Sequence, residues 1–503
     1  MSRHLPPEDR TGKLAKFHTF LRFYQKVVSK SCILKIIVVS LYYNINARLF
    51  QEEVLKRDIF EKLKQWKDKK SRKPLILKGA RQVGKTYILK RFAEELFPNY
   101  HYVNFEADET LSKIFDRDLN PKRILQELSF YVDSSINTDH DVMIFDEIQA
   151  CPKALTSLKY FQEELPNFHI CAAGSLLGIH LGHSSFPVGK VEHLEMFPMC
   201  FREFLEASGE TRYSEFLRAL TGKDHIPETV HLHLWDQLKI YFIVGGLPEV
   251  VQTYVETKKD LRTSLGIVRE KQSDLITDYV SDIAKHSGKQ NAMHIERVWK
   301  NIPAQLAREQ DGSAAKFRFK GVLPGIKAYS RLADAIDWLN TAGLIIKIHI
   351  ANSAKIPFSA YTTENRFKLF SFDVGILGAI SQLNPKTILD YDYGSYKGYF
   401  AENFIAQEFR CAGVGPLYSW KKNTAEIEFI REINGGVLPV EVKSGWVTQA
   451  KSLKVFAEKY KPWFRTIMSA RNMNIDRVNR VHHYPLYLAY YFPLEPVKIP
   501  DPH

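Results

Sequence analysis

The feature that most constrains this chain is a glycine-rich stretch, GARQVGKT, that runs from Gly79 to Thr86. It satisfies the pattern GxxxxGK[ST], and it lies between a short apolar run typical of a buried strand and a segment with helical periodicity. Gly79 and Gly84 allow the backbone to curl, so that successive N–H groups converge on phosphate oxygens at the positive end of the helix. The stretch predicts a phosphate-binding loop in which Lys85 supplies positive charge and the Thr86 hydroxyl is a ligand for Mg²⁺.

Two adjacent carboxylates end a second apolar run, VMIFDE at residues 142–147. Asp146 is in a position to hold Mg²⁺ directly or through water, and Glu147 to activate the attacking water as a general base. Acids after a strand also serve as helix N-caps, but the preceding phosphate-binding loop favours the metal role. A third apolar run ends at Ser175, which either contacts the γ-phosphate as a sensor or caps the next helix.

The order of these runs predicts the fold of the first half of the chain. Strands expected near residues 75, 102, 142 and 170 alternate with helical segments. Such alternation is typical of a parallel sheet with helices on both faces, and nucleotides bind such sheets at the carboxyl ends of the strands. The prediction is an α/β P-loop NTPase sheet that binds ATP.

Charge and cysteine content limit the remaining function classes. The net charge is +13, but residues 1–74 contain 18 Lys and Arg against seven Asp and Glu, so the rest of the chain is nearly neutral. The net charge of the whole chain therefore does not indicate that it binds nucleic acid. Five scattered cysteines, without a CxxC pair, argue against a disulfide framework or a cysteine-rich zinc site and predict a cytoplasmic protein.

An apolar run at residues 32–43 interrupts the basic N-terminal segment. It is shorter than the ~20 residues that a membrane-spanning helix needs, so no integral membrane segment is expected. The run is either a buried element, an extension outside the folded core, or an anchor on a membrane surface, since lysines flank it.

Five motifs follow one another in order: GARQVGKT, the tetrad DEIQ at residues 146–149, AGSLLG, FPMCFREFL at residues 197–205, and GGLPEVV at residues 245–251. In this series, from about residue 55 to about residue 460, the chain resembles the prokaryotic AAA-type ATPase family whose C-terminal half is described as a domain of unknown function. Members typically carry Arg where this chain has Lys190, which puts an arginine finger at that position in doubt. AAA-type relatives often assemble, so the resemblance leaves an oligomer open.

The middle of the chain is expected to be helical from about residue 195 to about residue 285. A helix, a loop, a second helix and a strand then fill residues 291–350, which suits a winged helix, and the resemblance implies one here. The second helix would read DNA in such a module. Because that helix carries Asp334 and Asp337 beside Arg331, contacts with protein or with another domain are the preferred interpretation.

The C-terminal part carries a second group of acids. Glu402 lies on an amphipathic helix, Glu428 on a strand, and Glu441 with Lys443 on the next strand. This layout resembles the PD-(D/E)xK nuclease core, in which Glu428 and Glu441 would chelate Mg²⁺, Lys443 would orient a water, and Glu402 would complete the shell. The first acid of that core is usually Asp, and an ion-pair network on an inactive scaffold remains the alternative.

The predicted organisation therefore combines an α/β P-loop sheet, a helical and winged-helix region, and a small α/β nuclease-like domain. Its divisions are a basic extension (1–51), the ATPase core (52–200), a helical lid (201–290), a winged-helix-like domain (291–385), a nuclease-like domain (386–470) and a C-terminal tail (471–503).

The predicted function is Mg²⁺-dependent ATP hydrolysis that acts as a conformational switch. The alternatives are an ATP-gated DNA-processing nuclease and a regulatory protein that binds ATP without hydrolysing it. A DNA or protein partner stays unidentified.

Overall fold

The computed structural model describes residues 56–175, 186–310, 316–323, 325, 328–390, 396–446 and 451–495. The predicted basic extension and its apolar run lie outside the described residues. Within the described ranges, no helix has both the length and the apolar character needed to cross a bilayer.

The first half of the chain forms a five-stranded sheet in which every neighbouring pair is parallel, in the order β2-β3-β4-β1-β5. The predicted α/β fold class is confirmed, including the four predicted strands. A fifth strand was not predicted, because its sequence EHLE has a single apolar residue and gives no strand pattern. The strands are β1 (Leu75–Lys78), β2 (Tyr100–Asn104), β3 (Val142–Asp146), β4 (His169–Gly174) and β5 (Glu192–Glu195).

Helices cover both faces of this sheet, as an alternating strand and helix pattern requires. One face packs against α3 and α4 through a continuous apolar cluster, and the other packs against α2 with α1 above it. These helices are α1 (Ile59–Lys67), α2 (Lys85–Leu96), α3 (Pro121–Tyr131) and α4 (Pro152–Glu164). Short 3₁₀ turns occupy Glu109–Phe115 and Ile148–Ala150.

A run of helices follows the sheet, which confirms the helical pattern predicted for this stretch. The longest, α9, spans 27 residues. The helices are α5 (Phe201–Ala207), α6 (Thr211–Ala219), α7 (Glu228–Val244), α8 (Pro248–Thr257), α9 (Leu261–Ser287), α10 (Lys289–Gln310) and α11 (Ala333–Thr341).

The second sheet is mixed and has eight strands, in the order β12-β13-β11-β10-β9-β8-β6-β7. Its strands are β6 (Ile345–Ala351), β7 (Thr362–Ser371), β8 (Leu417–Lys422), β9 (Ala425–Ile433), β10 (Gly436–Val442), β11 (Arg465–Ser469), β12 (Asn474–Asp476) and β13 (Val481–Pro485). The helices within this part are α12 (Val374–Ile380), α13 (Pro385–Leu389), α14 (Tyr396–Cys411) and α15 (Lys451–Tyr460). Further 3₁₀ turns occupy Tyr329–Arg331, Phe358–Tyr361 and Leu486–Tyr491.

Two of the predicted divisions do not coincide with the limits of this sheet. The predicted order of helix, helix and strand is present as α10, α11 and β6, but β6 pairs with β8 across the division at residue 385. Residues 474–485, in the segment predicted as a tail, form β12 and β13, and β13 pairs with β11. Pairing between distant strands cannot be inferred from local patterns, which explains both differences.

A buried junction joins the end of the first sheet, the turn between α7 and α8, and α12. The Gly246 N–H donates to Asp373 Oδ2 at 2.6 Å, and the Met199 N–H donates to the Gly246 oxygen at 2.6 Å. A Cβ on Gly245 would lie 2.2 Å from Asp373 Oδ1, and its φ of +73° is unfavourable for other residues. This contact explains the GGLP motif as a packing requirement.

We expect the stability of the protein to fall as pH rises towards 8, because Glu408, which accepts the Phe201 N–H, is buried. Burial raises the pKa of Glu408 to about 8, above the value of roughly 4.3 for an unfolded chain. Between these values only the folded state holds the proton, so stability decreases by up to about 1.4 kcal/mol per pH unit. Glu408→Gln stays neutral and should melt at a temperature that depends less on pH.

Thermal unfolding between pH 5.5 and pH 8 measures this difference. Glu270→Gln, at an exposed position on α9, is the control and should follow the unaltered chain at every pH. Parallel melting curves for Glu408→Gln and the unaltered chain would contradict the assignment.

Candidate functional site

The phosphate-binding loop connects β1 to α2, as the sequence predicts, and its glycines are needed for close packing. A Cβ on Gly79 would lie 2.2 Å from the main-chain oxygen of Met196. Gly84 has a φ of +95° and directly precedes α2, a conformation that other residues rarely adopt. The loop therefore has the backbone shape that turns N–H groups towards an anion at the start of a helix.

Lys85 is the first residue of α2, and its side chain lies inside the loop. Its Nζ donates to the Gly79 oxygen at 3.0 Å and to the Ala80 oxygen at 2.7 Å. Burial lowers the pKa of Lys85 to about 8, against the opposing effect of Glu147 and Asp146. The ammonium is thus held close to where phosphate oxygens would approach the loop.

Thr86 and Asp146 are brought together by the first sheet. The Thr86 hydroxyl donates to Asp146 Oδ2 at 2.7 Å, and the Tyr102 hydroxyl donates to the same oxygen at 2.8 Å. Thr86 is the second residue of the helix after β1 and Asp146 is the last residue of β3, so both lie at the carboxyl edge of the sheet. A hydroxyl and a carboxylate in contact are a donor set that suits Mg²⁺.

Tyr102 was not predicted from the sequence. It lies on β2, where Asn104 faces Asp146 in the register of β2 and β3. Burial and the neighbouring Asp146 raise the pKa of Tyr102, so its hydroxyl is a stable donor. The signal available in the sequence was the alternating pattern of this strand, which has a tyrosine close to the carboxyl edge of the sheet.

Glu147 and Ser175 lie at the ends of β3 and β4. Glu147 has a φ of +48°, which is uncommon for a residue other than glycine, and it accepts a hydrogen bond from Gln149 of the DEIQ tetrad. Ser175 is buried, and within the described part of the chain its Oγ has no hydrogen-bond partner. An unpartnered buried hydroxyl at this edge is available to a ligand.

Lys190 does not approach the loop in this structure. Its Nζ lies 2.9 Å from Glu163 Oε1 on α4, and this contact lowers the pKa of Glu163. The side chain is therefore engaged with its own chain, in keeping with the doubt about a finger at this position.

Arg81, inside the loop, connects it to the long helix α9. Arg81 Nη1 lies 3.1 Å from Asp282 Oδ1, and the Tyr279 hydroxyl donates to the Arg81 main-chain oxygen at 2.9 Å. Arg81 Nη2 also lies 3.4 Å from Glu106 Oε2. The loop motif allows any residue at this position, so no local pattern predicts these contacts.

Two further parts of the chain pack against the loop. Arg57 Nη1 donates to the Val83 oxygen at 2.9 Å. A Cβ on Gly343, in the turn between α11 and β6, would lie 3.3 Å from the Ala80 nitrogen. The loop is thus enclosed by residues from both halves of the chain.

Of the four residues predicted for the nuclease-like site, Glu402 lies on α14, Glu428 on β9 and Glu441 on β10, and Lys443 directly follows β10. The register of β9 and β10 pairs Phe429 with Val440, which puts Glu428 beside Glu441. Glu428 Oε2 accepts the Val442 N–H at 3.1 Å, and Lys443 Nζ lies 2.7 Å from Glu441 Oε1.

The charges of this cluster are incompletely balanced. Burial, and then the neighbouring Glu441, raise the pKa of Glu428 well above its usual range. Burial likewise raises the pKa of Glu441, against the effect of Lys443. Within the described residues, the buried Oε2 of Glu441 has no hydrogen-bond partner.

Glu402 is engaged with a lysine that was not predicted from the sequence. Lys368 on β7 is buried, and its Nζ lies 3.5 Å from Glu402 Oε2 and 2.8 Å from Glu426 Oε1. Among the residues that the structure describes, no three His, Cys, Asp or Glu side chains are grouped so that they could hold a metal ion. Lys368 thus supplies a positive charge beside Glu402 and Glu426.

Three stretches of the chain match family models. Residues 71–205 match an AAA domain, residues 236–387 match a domain of unknown function, DUF8612, and residues 397–488 match a second domain of unknown function, DUF4143. No curated protein matches this sequence.

Two solved structures resemble this chain at low identity. The Thermotoga maritima RuvB Holliday junction branch migration motor is 16% identical, with 62% of this chain and 93% of that chain covered and a TM-score of 0.29. The Aeropyrum pernix ORC1 protein in complex with DNA is 14% identical, with 64% and 90% covered and a TM-score of 0.24. At TM-scores this low, these likenesses say nothing about what this chain binds.

The family match and the five-stranded parallel sheet agree with each other. Residues 71–205 match an AAA domain and have the α/β fold of P-loop NTPases, and the matches to two domains of unknown function follow them along the chain.

Proposed function

We propose that this chain hydrolyses ATP with Mg²⁺ and that hydrolysis acts as a conformational switch. The observation that carries the proposal is the contact between Thr86 and Asp146 beside the buried Lys85. A cation on a curled loop and a hydroxyl next to a carboxylate are the groups that phosphoryl transfer to water requires.

Each residue of the site has a proposed role. Lys85 exchanges its contacts with the Gly79 and Ala80 oxygens for phosphate oxygens, while Thr86 and Asp146 hold the metal. Mg²⁺, when bound, neutralises charge that develops on the phosphate oxygens. Glu147 accepts a proton from the attacking water, and the Ser175 hydroxyl donates to a phosphate oxygen.

The proposed switch runs through Arg81. Because Arg81 contacts Asp282 and Tyr279 on α9, a change in the loop on phosphate release would alter the position of that helix. Gln272, also on α9, donates to the Ile243 and Val244 oxygens at the end of α7. These contacts connect the loop to the junction that Gly245 and Gly246 form with Asp373.

Replacing Glu147 by Gln should preserve ATP binding and slow hydrolysis by about 10²- to 10⁴-fold, because the amide cannot accept the proton of the water. Steady-state phosphate release measures the effect, and Lys85→Ala should abolish release. Glu163→Gln, which alters only the ion pair with Lys190, is the matched control and should hydrolyse at the normal rate.

Undiminished turnover in Glu147→Gln would remove this residue from the role of general base. Tight ATP binding without phosphate release from the unaltered chain would instead favour the regulatory alternative, in which the protein binds ATP and hydrolyses nothing.

The affinity for ATP should fall as pH rises above 8. Burial gives Lys85 a pKa of about 8, and bound phosphates favour its charged form, so binding above this pH requires uptake of a proton. Between pH 7 and pH 9 we expect the dissociation constant to increase about tenfold. Titration with a fluorescent ATP analogue measures it, and Lys85→Arg, which stays charged, should show little dependence on pH. Identical pH profiles for the two proteins would contradict the assignment.

A nuclease is the second candidate function, and the incomplete charge balance around Glu441 favours it. Raised pKa values at Glu428 and Glu441, with a buried unpartnered carboxylate oxygen, are what a divalent cation would neutralise. The ion pairs of Lys368 favour an inactive scaffold, in which the cluster only stabilises the sheet.

An assay for nicking of supercoiled DNA with Mg²⁺ or Mn²⁺ distinguishes an active nuclease site from an inactive scaffold. If it is active, Glu441→Gln should abolish nicking and leave phosphate release unchanged, because the two sites lie on different sheets. Glu432→Gln, exposed on the same strand as Glu428, should nick normally. No nicking by the unaltered chain would eliminate the nuclease.

A further inference from the structure

An open cleft of about 840 Å³ lies on the second sheet, and every residue that lines it has a charged or amide side chain. Two asparagine side chains, Asn352 and Asn423, and five cations line it. The cations come from β7, β8 and a segment that precedes α11, so they are distant in sequence. They are Lys316, Arg318, Arg366, Lys421 and Lys422. We call this surface the basic cleft.

Most of this positive charge is not neutralised. Within the described residues, Lys421 is the member of the basic cleft that forms an ion pair, with Glu426. Lys422 lies next to a further lysine, Lys459 on α15, and contact with that lysine lowers the pKa of Lys422. A cluster of like charges in contact gains stability when an anion occupies it.

The basic cleft adjoins the acidic cluster described above. One carboxylate oxygen of Glu426 forms an ion pair with Lys421, and the other forms an ion pair with Lys368. Lys368 in turn contacts Glu402. The row Lys421, Glu426, Lys368, Glu402 therefore runs from the basic cleft to the buried acids. A ligand in the basic cleft would lie at the entrance to them.

We propose that the basic cleft binds the phosphate backbone of a single nucleic-acid strand. Arg, Lys and Asn side chains make most phosphate contacts in nucleic-acid complexes, and those residue types make up the whole lining. A stable protein interface has an apolar centre, and no apolar residue lines the basic cleft. A volume of about 840 Å³ has room for a few nucleotides of one strand.

This inference stands apart from ATP hydrolysis, because the residues of the basic cleft lie on β7 and β8, directly after β6 and β8, and in the segment that precedes α11, and none belongs to the phosphate-binding loop. It also stands apart from nuclease chemistry, since binding requires neither Glu441 nor a metal ion.

Fluorescence anisotropy with a labelled 30-nucleotide single-stranded DNA tests the proposal on the full chain, in EDTA and without ATP. Under these conditions neither hydrolysis nor nicking contributes to the signal. The variant carries three exchanges at exposed or half-exposed positions, Lys316→Gln, Arg318→Gln and Lys422→Gln. Each lost cation should reduce the slope of log affinity against log salt by about 0.7, so the triple variant should lose about 2 units of slope. At 0.1 M salt this corresponds to roughly 100-fold weaker binding.

The matched control removes the same charge from three exposed lysines elsewhere, Lys122→Gln, Lys223→Gln and Lys259→Gln. It should retain the affinity and the salt slope of the unaltered chain, and melting curves of both triple variants verify that they are folded.

Equal losses in the two triple variants would overturn the proposal, as would the absence of binding by the unaltered chain. Tighter binding to a duplex of the same length, or equal binding to polyglutamate or to anionic lipid vesicles, would also overturn it. Loss of ATP hydrolysis in Lys85→Ala with DNA binding retained would support the independence of the two sites.

Discussion

A buried carboxylate, Asp373, connects the two halves of this protein. It accepts the N–H groups of Gly246 and Ile376, at 2.6 and 2.9 Å, and it lies against the backbone of Gly245, where no other residue would fit. Burial raises its pKa to about 6, so its charge at neutral pH depends on these backbone donors. The end of the first sheet reaches the same point through Met199, whose N–H donates to the Gly246 oxygen. One set of hydrogen bonds therefore connects the turn between α7 and α8 with the start of α12 and the end of the first sheet.

The sequence predicted the nucleotide side of this arrangement well, because each element there has a local signal. GARQVGKT specifies the loop, VMIFDE specifies a strand that ends in acids, and parallel strands bring their carboxyl ends together at one edge. The structure places Thr86 and Asp146 in contact, as that reasoning requires. Tyr102 and Arg81 were missed, since their contacts depend on strand register and on a helix about 200 residues away in sequence.

The C-terminal part was less predictable, for a physical reason. Its strands are individually readable, but neighbours in the sheet come from residues 345–351, 417–422 and 465–485, and local periodicity cannot reveal such pairing. Lys368 illustrates the consequence. It lies on β7, outside the E-x-K pattern, yet its side chain contacts both Glu402 and Glu426. The two ion pairs could be found only from the tertiary structure.

The enclosure of the phosphate-binding loop has a consequence for how nucleotide affinity is distributed over the chain. Arg57, Tyr279 and Gly343 hold the loop from outside the stretch that matches the AAA domain. Apparent affinity includes the fraction of molecules whose binding site is already in the competent shape. A mutation in the C-terminal regions can therefore change nucleotide binding without touching the nucleotide, and a fragment limited to residues 71–205 would bind with a different energy from the same residues in the whole chain.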